Sequence, residues 1–283
     1  MITASRHSSA VAEIFAGIFG DALQQEPRTE WELHSCGAPI TARIEESWLV
    51  MSAPVPCDAS PDFVLGISSA LPGAVKLSLS ANGGAQIRVE VPLDEEESGA
   101  QIREAWSGLE SALASLRGEA AHAMEIGNAP AVTQEDLKRV CEEAGWTPTL
   151  RGEDSCVVEL ECPGTFIQAS LAPHGCGVRV SVPLGNIPET ETESAAATGI
   201  LLLNTCGAVR LVRPVWESGD GCVKPGIEII FSAVPSAAQL AHALSGLSVA
   251  CQCCAEEAKA LRDPNVARQF LALSKTKTGN QET

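Results

Sequence analysis

Two segments of this sequence, 138 residues apart, carry the same spacing of apolar residues. Steps of four and three residues place such a set on one face of a helix. Both segments also contain Ser-Gly-Leu at the same point, at 107–109 and at 245–247. The first set is Ile102, Trp106, Leu109, Leu113, Leu116, Ala120 and Ala123, and the second is Leu240, Leu244, Leu247, Cys251, Cys254, Ala258 and Leu261.

Three shorter matches precede these helices in the same order, at offsets that grow from 127 to 134 residues. The matched segments are 32–33 with 159–160, 52–54 with 181–183, and 74–77 with 208–211. An internal duplication explains all of these matches. We predict a first domain over residues 8–125, a second copy over 133–273, and a disordered tail over 274–283.

Each copy is predicted to be an α+β domain, in the order helix, three strands, helix, two strands, helix, with helices packed on one antiparallel sheet. The first copy has predicted helices at 10–24, after Ser60-Pro61 and after the acidic run 94–97, strands within 31–54, and a hairpin that turns at 82–84. The second has a helix that starts between Thr133 and Asp136, strands at 147–152, 155–162, 165–172 and 177–183, a helix at 189–206, a hairpin within 209–231, and helices at 236–262 and from Pro264.

This order of elements resembles the type III secretion chaperone-like fold, a family that includes the YbjN-like proteins. The resemblance covers about 8–124 and 133–262, and it also rests on the segments 74–77 and 208–211 and on the long closing helices. It implies a protein that binds other polypeptides without catalysis. Family members usually pair into homodimers, so a tandem chain is expected to pack its two copies as an intramolecular pseudo-dimer.

Charge excludes two classes of partner. The formal net charge is −17, with 7 basic and 18 acidic residues in 1–130 and 12 and 18 in the remainder. Neither half can neutralise a phosphate backbone or be drawn to an anionic membrane surface, so we expect neither nucleic acid nor membrane as a partner.

The sequence predicts a cytoplasmic protein. It contains no run of about 18 apolar residues, and its N-terminus is polar over residues 3–9, unlike a secretory signal. Eleven cysteines, an odd number without regular spacing, are typical of reduced thiols in the cytosol.

The densest group of metal-ligand side chains is Cys251-Gln252-Cys253-Cys254. Two thiols three residues apart on a helix can share a soft metal ion, but Cys251 and Cys254 occupy the positions of Leu113 and Leu116, which favours core packing. Cys253 lies off the stripe and is predicted to be exposed. Cys162 and Cys176 bracket a pair of strands, and the alternative that they meet as a redox pair stays open.

No catalytic, cofactor-binding or metal-binding residue is assigned, and the protein-binding residues stay unknown. The five histidines are scattered. The large aromatic candidates for a binding surface are Trp48, Trp106, Trp146 and Trp216. Of these, Trp106 is predicted to be buried, while Trp216 is a candidate for an exposed contact residue.

The first functional hypothesis is a non-enzymatic chaperone-like or adaptor module that captures an extended segment of another polypeptide. The alternative is a regulatory protein that binds a small molecule or a metal at the interdomain cleft. An enzyme whose nucleophile and base meet only on folding is a third hypothesis.

Overall fold

The computed structural model describes residues 2–19, 29–55, 65, 71, 75–80, 84–93, 98–117, 131–162 and 165–279. Within these ranges the chain forms six helices and twelve strands, so the predicted α+β class is confirmed, with two antiparallel sheets. Several predicted features lie outside the described residues, namely the acidic run 94–97, residues 82–83 of the hairpin turn, and all of the short helix after Ser60 except Leu65 and Leu71. No helix of the described ranges is both long and apolar enough to cross a membrane.

The helices are α1 (Ile2–Phe19), α2 (Ser98–Leu116), α3 (Gln134–Glu143), α4 (Thr192–Ala208), α5 (Ala237–Ala260) and α6 (Pro264–Gly279). The strands are β1 (Glu30–Ser35), β2 (Ala38–Glu45), β3 (Trp48–Pro54), β4 (Lys76–Leu79), β5 (Ala85–Pro92), β6 (Thr149–Arg151), β7 (Ser155–Cys162), β8 (Thr165–His174), β9 (Gly177–Pro183), β10 (Ile187–Pro188), β11 (Arg213–Gly219) and β12 (Cys222–Phe231).

The chain divides into two compact units that differ from the two predicted copies. The first unit comprises Met1–Cys57 and Gln86–His122, and the second comprises Asp58–Ala85 and Ala123–Thr283. Residues 58–85, which the sequence assigns to the first copy, are therefore grouped with the second.

The first unit has its strands in the order β1-β2-β3-β5, all antiparallel. Helix α1 begins at Ile2, eight residues before the predicted start. Phe15 of α1 meets the ring of Trp31 edge-on at 5.4 Å between centroids and that of Trp106 at 6.4 Å. Trp106 is buried with Ile102, Leu109 and Leu113, so the predicted stripe of α2 is a core face up to Leu113, while Leu116 is only half-buried.

The second unit has the strand order β10-β12-β9-β8-β7-β6, with β11 also paired to β12. Helix α3 begins where the sequence predicted, with a capping box: the Thr133 hydroxyl accepts from Asp136 N at 3.2 Å, and the Asp136 carboxylate accepts from Thr133 N at 3.1 Å. Strand β6 lies within the predicted strand 147–152, and the two-residue strand β10 is an additional element before α4 that was not predicted.

Helix α5 buries its predicted stripe, including Cys251 and Cys254. The last helix, α6, continues to Gly279 within the range predicted to be a disordered tail. The Ser274 hydroxyl donates to the carbonyl of Phe270, one turn earlier in the same helix.

Two buried cations, Lys76 and Arg213, make contacts within the second unit between residues distant in sequence. Lys76 Nζ donates to the carbonyls of Cys206 at 2.7 Å and Val209 at 2.9 Å, at the C-terminal end of α4. The guanidinium of Arg213 donates through Nη1 to the carbonyl of Leu71 at 3.1 Å and through Nε to the carboxylate of Glu228 at 2.7 Å. Arg213 and Glu228 are only 3% and 2% exposed. Their hydrogen bonds within the protein therefore replace those that the two charged groups would make with water.

We predict that Arg213→Met lowers the free energy of unfolding by about 3 kcal/mol, because it removes one of the two arginines that contact the buried Glu228 carboxylate. Replacing both charges, in Arg213→Met with Glu228→Leu, should recover part of that loss. Urea unfolding followed by circular dichroism measures both changes.

The control for this experiment is Arg139→Met, which removes an exposed arginine that pairs with Asp136 and Glu143. Its urea midpoint should stay that of the parent protein. Equal midpoints for the Arg213 and Arg139 variants would show that the buried pair does not stabilise the fold.

Candidate functional site

One end of the second sheet presents a short edge strand beside an open face. Strand β6 pairs with β7 over only three residues, and no further strand of the described ranges pairs with β6. All three residues of β6 are exposed. An edge strand with free main-chain groups is a template for another extended chain.

Strand register places the side chains that surround this edge. Thr149 of β6 lies opposite Val157 of β7, and on the next pair of strands Glu159 lies opposite Gln168. Because strand side chains alternate between the two faces of a sheet, these four side chains share one face. We call this surface, together with Trp146, Thr147, Arg151, Glu161 and Phe166, the β6 face.

A pocket of about 390 Å³ lies on the β6 face, lined by Trp146, Thr147, Thr149, Arg151, Val157, Glu159 and Gln168. Val157 is only 6% exposed. The lining combines an aromatic ring and an aliphatic group with one guanidinium, one carboxylate and several neutral hydrogen-bonding groups, which suits a peptide better than a purely apolar ligand.

Trp146 reaches the pocket because of how α3 ends. The N–H of Gly145 donates to the carbonyl of Glu142, and the N–H of Trp146 donates to the carbonyl of Cys141. Gly145 has a φ of 86°, a left-handed conformation that glycine adopts without strain. The turn therefore leads the chain directly from the helix to β6.

Two large apolar side chains are exposed at this end of the sheet, one on the β6 face and the other on the opposite face of β6. Phe166 of β8 is 69% exposed and lies opposite Glu161 of β7, and Leu150 of β6 is 51% exposed. Exposed aromatic residues next to a pocket are the kind of anchor that protein interfaces bury.

The tryptophan predictions separate into one that is confirmed and one that is wrong. Trp106 is buried, as its position on the α2 stripe predicted. Trp216, the predicted candidate for an exposed contact, is also buried, since β11 packs it near Gly199 of α4. The tryptophan that faces a pocket is Trp146, one of the four aromatic candidates for a binding surface in the sequence.

The cysteine cluster of α5 behaves as its spacing predicted. Cys251 and Cys254 are buried and Cys253 is exposed. Burial is the main cause that raises the pKa of both buried thiols to about 12. No group of three or more His, Cys, Asp or Glu side chains within the described ranges is placed to hold a metal ion.

The pairing of Cys162 with Cys176 is not observed. Cys162 ends β7 opposite Thr165, the first residue of β8, while Cys176 lies in the turn after His174, the last residue of β8. The two thiols therefore lie at opposite ends of β8, about 30 Å apart at the rise of an extended strand. The Cys162 thiol instead contacts Ser248 of α5.

A thiol pair that the sequence did not indicate lies between α3 and β7. Cys141 and Cys156 are both buried, and the hydrogen bond between them, together with burial, raises the pKa of the Cys141 thiol. The pair could have been found by combining the buried stripe of α3 with the inward positions of β7.

The described histidines are distributed over different elements. His34 is exposed on β1, His174 at the end of β8 and His242 on α5. The β6 face contains no cysteine or histidine, so its chemistry is that of contact and charge.

We predict that Cys253 is alkylated much faster than Cys251 and Cys254 in the folded protein at pH 8. A pKa of about 12, against the ordinary 9.0, lowers the fraction of each buried thiol that is in the reactive thiolate form about a thousandfold. Burial also restricts access of the reagent to both thiols. An isotope-coded iodoacetamide pulse followed by peptide mass spectrometry measures all three rates, with alkylation in denaturant as the control. Comparable rates in the folded protein would contradict the assignment of Cys251 and Cys254 to the core.

No protein-family model matches the sequence, and no curated protein shows significant similarity to it.

Proposed function

We propose that this protein is a cytoplasmic, non-enzymatic protein-binding module, chaperone-like or adaptor in role, that captures an extended segment of another polypeptide. The observation that carries the proposal is the β6 face, where an exposed edge strand adjoins a pocket and the exposed side chain of Phe166. Main-chain pairing at β6 would supply affinity, and the pocket would select side chains of the bound segment.

Strand order supports a duplicated architecture of the type III secretion chaperone-like kind. The order β1-β2-β3-β5 in one sheet has a counterpart in β7-β8-β9-β12 in the other. The matched segments fall at corresponding places: 32–33 in β1 and 159–160 in β7, and 52–54 and 181–183 at the ends of β3 and β9. In each copy a long helix with a buried apolar stripe follows the last of these strands, namely α2 after β5 and α5 after β12.

The buried cations support an intramolecular pseudo-dimer. Lys76, from the first copy, binds the carbonyls of Cys206 and Val209 in the second, and Arg213, from the second copy, donates to the carbonyls of Leu71 and Val75 in the first. Val75 and Val209 are matched positions of the duplication. The match does not extend to the cations, since Lys76 corresponds to Arg210 and not to Arg213, so the contacts are reciprocal between the copies without being equivalent.

A residue of the first copy also packs closely against helix α4 of the second. Leu65, from the first copy, is fully buried, and a Cβ at Gly199 would overlap the Leu65 side chain. The absence of a side chain at Gly199 therefore allows Leu65 to pack against α4.

We predict that the protein is a monomer of 29.5 kDa, because each copy supplies the other with the partner that a homodimer would provide. Size-exclusion chromatography with light scattering over a hundredfold range of loading concentration, up to about 100 μM, measures the mass. A mass that doubles with concentration would contradict the pseudo-dimer.

For the binding function, we predict that a photoreactive benzoylphenylalanine in place of Phe166 forms covalent adducts with a defined polypeptide in the native cell. The same group in place of Val249, an exposed residue of α5, is the matched control and should not give that adduct. Mass spectrometry of the purified adducts identifies the crosslinked polypeptide and the peptide within it that contacts position 166.

Two results of the crosslinking experiment would overturn the proposal. One is the absence of any adduct at position 166, and the other is the same set of adducts at positions 166 and 249. In the second case the protein would be crosslinking to abundant neighbours and not to a captured segment.

A further inference from the structure

Two buried thiols bracket the segment that forms the edge of the second sheet. Cys141 lies in the last turn of α3, Cys156 is the second residue of β7, and a hydrogen bond joins their side chains. Both residues are 0% exposed. Residues 142–155, which lie between them, contain Trp146, all of β6 and the turn into β7. The two thiols therefore meet at the base of a loop that includes the edge strand.

Contacts other than the thiols hold the two ends of this loop together. At the start of α3, Gln134 Nε2 donates to the carbonyl of Gly152 at 3.3 Å and to that of Ser155 at 2.7 Å. Cys141 follows two turns later on the buried face of the same helix. Because α3 is already fixed against the start of β7, a disulfide between the thiols requires rotation of two side chains and not a rearrangement of the elements.

Only a short strand separates Cys156 from solvent at the edge of the sheet. Cys156 lies opposite Leu150 of β6, so the two side chains share the face on which α3 packs, whereas Val157 faces the pocket. Leu150 is itself 51% exposed, and β6 pairs with β7 over three residues. Segments with so few contacts open locally at a small cost in free energy. Opening of β6 would therefore give a small oxidant access to Cys156.

From this geometry we infer that Cys141 and Cys156 form a reversible disulfide under oxidation by a small peroxide, and that the bond holds β6 on the sheet. A crosslink at the base of the loop removes conformations in which residues 142–155 leave the sheet. The reduced protein would thus open at this edge more readily than the oxidised one. The inference concerns the edge strand itself, so it does not rest on what binds there.

The reaction consumes one molecule of hydrogen peroxide. The Cys156 thiolate attacks one peroxide oxygen, the O–O bond breaks, and the departing hydroxide takes the proton of the Cys141 thiol to form water. The Cys141 sulfur then attacks the sulfenic sulfur of Cys156, the S–O bond breaks, and the oxygen leaves as hydroxide, which takes up the proton that Cys156 had released. The two thiols lose two electrons in all, and the peroxide is reduced to two waters.

The hydrogen bond between the thiols assigns their order in this reaction. It lowers the pKa of the Cys156 thiol, and together with burial it raises the pKa of the Cys141 thiol. Since the thiolate is the nucleophile, Cys156 attacks the peroxide and Cys141 resolves the sulfenic acid.

The experiment treats the full, reduced chain with hydrogen peroxide at low protein concentration and then blocks the remaining thiols by alkylation. Digestion without reductant uses trypsin and a glutamate-specific protease, because cleavage after Glu159 and Glu161 separates Cys156 from Cys162. Mass spectrometry should find a peptide that links Cys141 to Cys156, and dithiothreitol should remove it.

Hydrogen exchange measures the effect of the bond on the edge. Oxidation should slow exchange of the main-chain amides at residues 147–152 by at least about fivefold and leave those of β11 unchanged. The Cys156→Ser variant should lose this response, and Cys141→Ser is a second variant with the same expectation. The matched control, Cys251→Ala, removes another buried thiol and should keep both the disulfide and the slower exchange.

Each contrary result overturns a stated part of the inference. If Cys141 and Cys156 stay reduced, or if peroxide oxidises them separately to sulfinic or sulfonic acids, they serve only to fill the core. A peptide that links Cys162 to Cys251 in place of this pair would show that the wrong thiols were assigned. If the expected disulfide forms and exchange at residues 147–152 does not slow, the bond does not hold the edge. The crosslinking at position 166 judges the proposed function independently of all three.

Discussion

The Glu228 carboxylate, buried between two arginines, is the interaction on which the arrangement of the second unit depends. It accepts from Arg213 Nε at 2.7 Å and from Arg179 Nε at 2.5 Å, and Arg179 also reaches Glu217. A carboxylate that has lost its water is tolerated only when such partners replace it. Because Arg213 also donates to the carbonyl of Leu71, the network that satisfies Glu228 fixes a segment from much earlier in the chain.

The two ends of the second sheet differ, because this network of buried charges lies at only one of them. Strands β9, β11 and β12 share the buried charges, and the carbonyls of Leu71 and Val75 accept from Arg213 there. Strands β6, β7 and β8 lie at the other end, where Leu150, Glu159 and Phe166 are exposed. The structure thus buries charged side chains at one end of the sheet and exposes apolar and charged side chains at the other.

Local patterns predicted most helices and strands, and long-range contacts account for what they missed. The capping box at Thr133 and the stripe of α5 are set by residues three or four positions apart, so the sequence shows them directly. Nothing in the alternating pattern around Lys76 or Arg213 shows that each would bind carbonyls more than 120 residues away. For that reason the grouping of residues 58–85 with the second unit could not be predicted.

The candidate site was hidden for a related reason. Trp146 belongs to no periodic pattern, and it reaches the pocket only through the turn that ends α3. Phe166 occupies an ordinary alternating position of β8, and which face of that strand is covered depends on α3 and α5, elements distant in sequence. The burial of Trp216 has the same origin, because α4 covers its strand.

An exposed phenylalanine beside an edge strand is a risk of aggregation, and the β6 face contains the usual protections against it. Strand β6 is only three residues long and ends in Arg151, and acidic side chains follow it in the turn and on β7. Short edges and charges of one sign prevent copies of a chain from pairing with one another. They oppose pairing with another copy of this chain, whose edge has the same charges, and they do not oppose pairing with a segment of opposite charge.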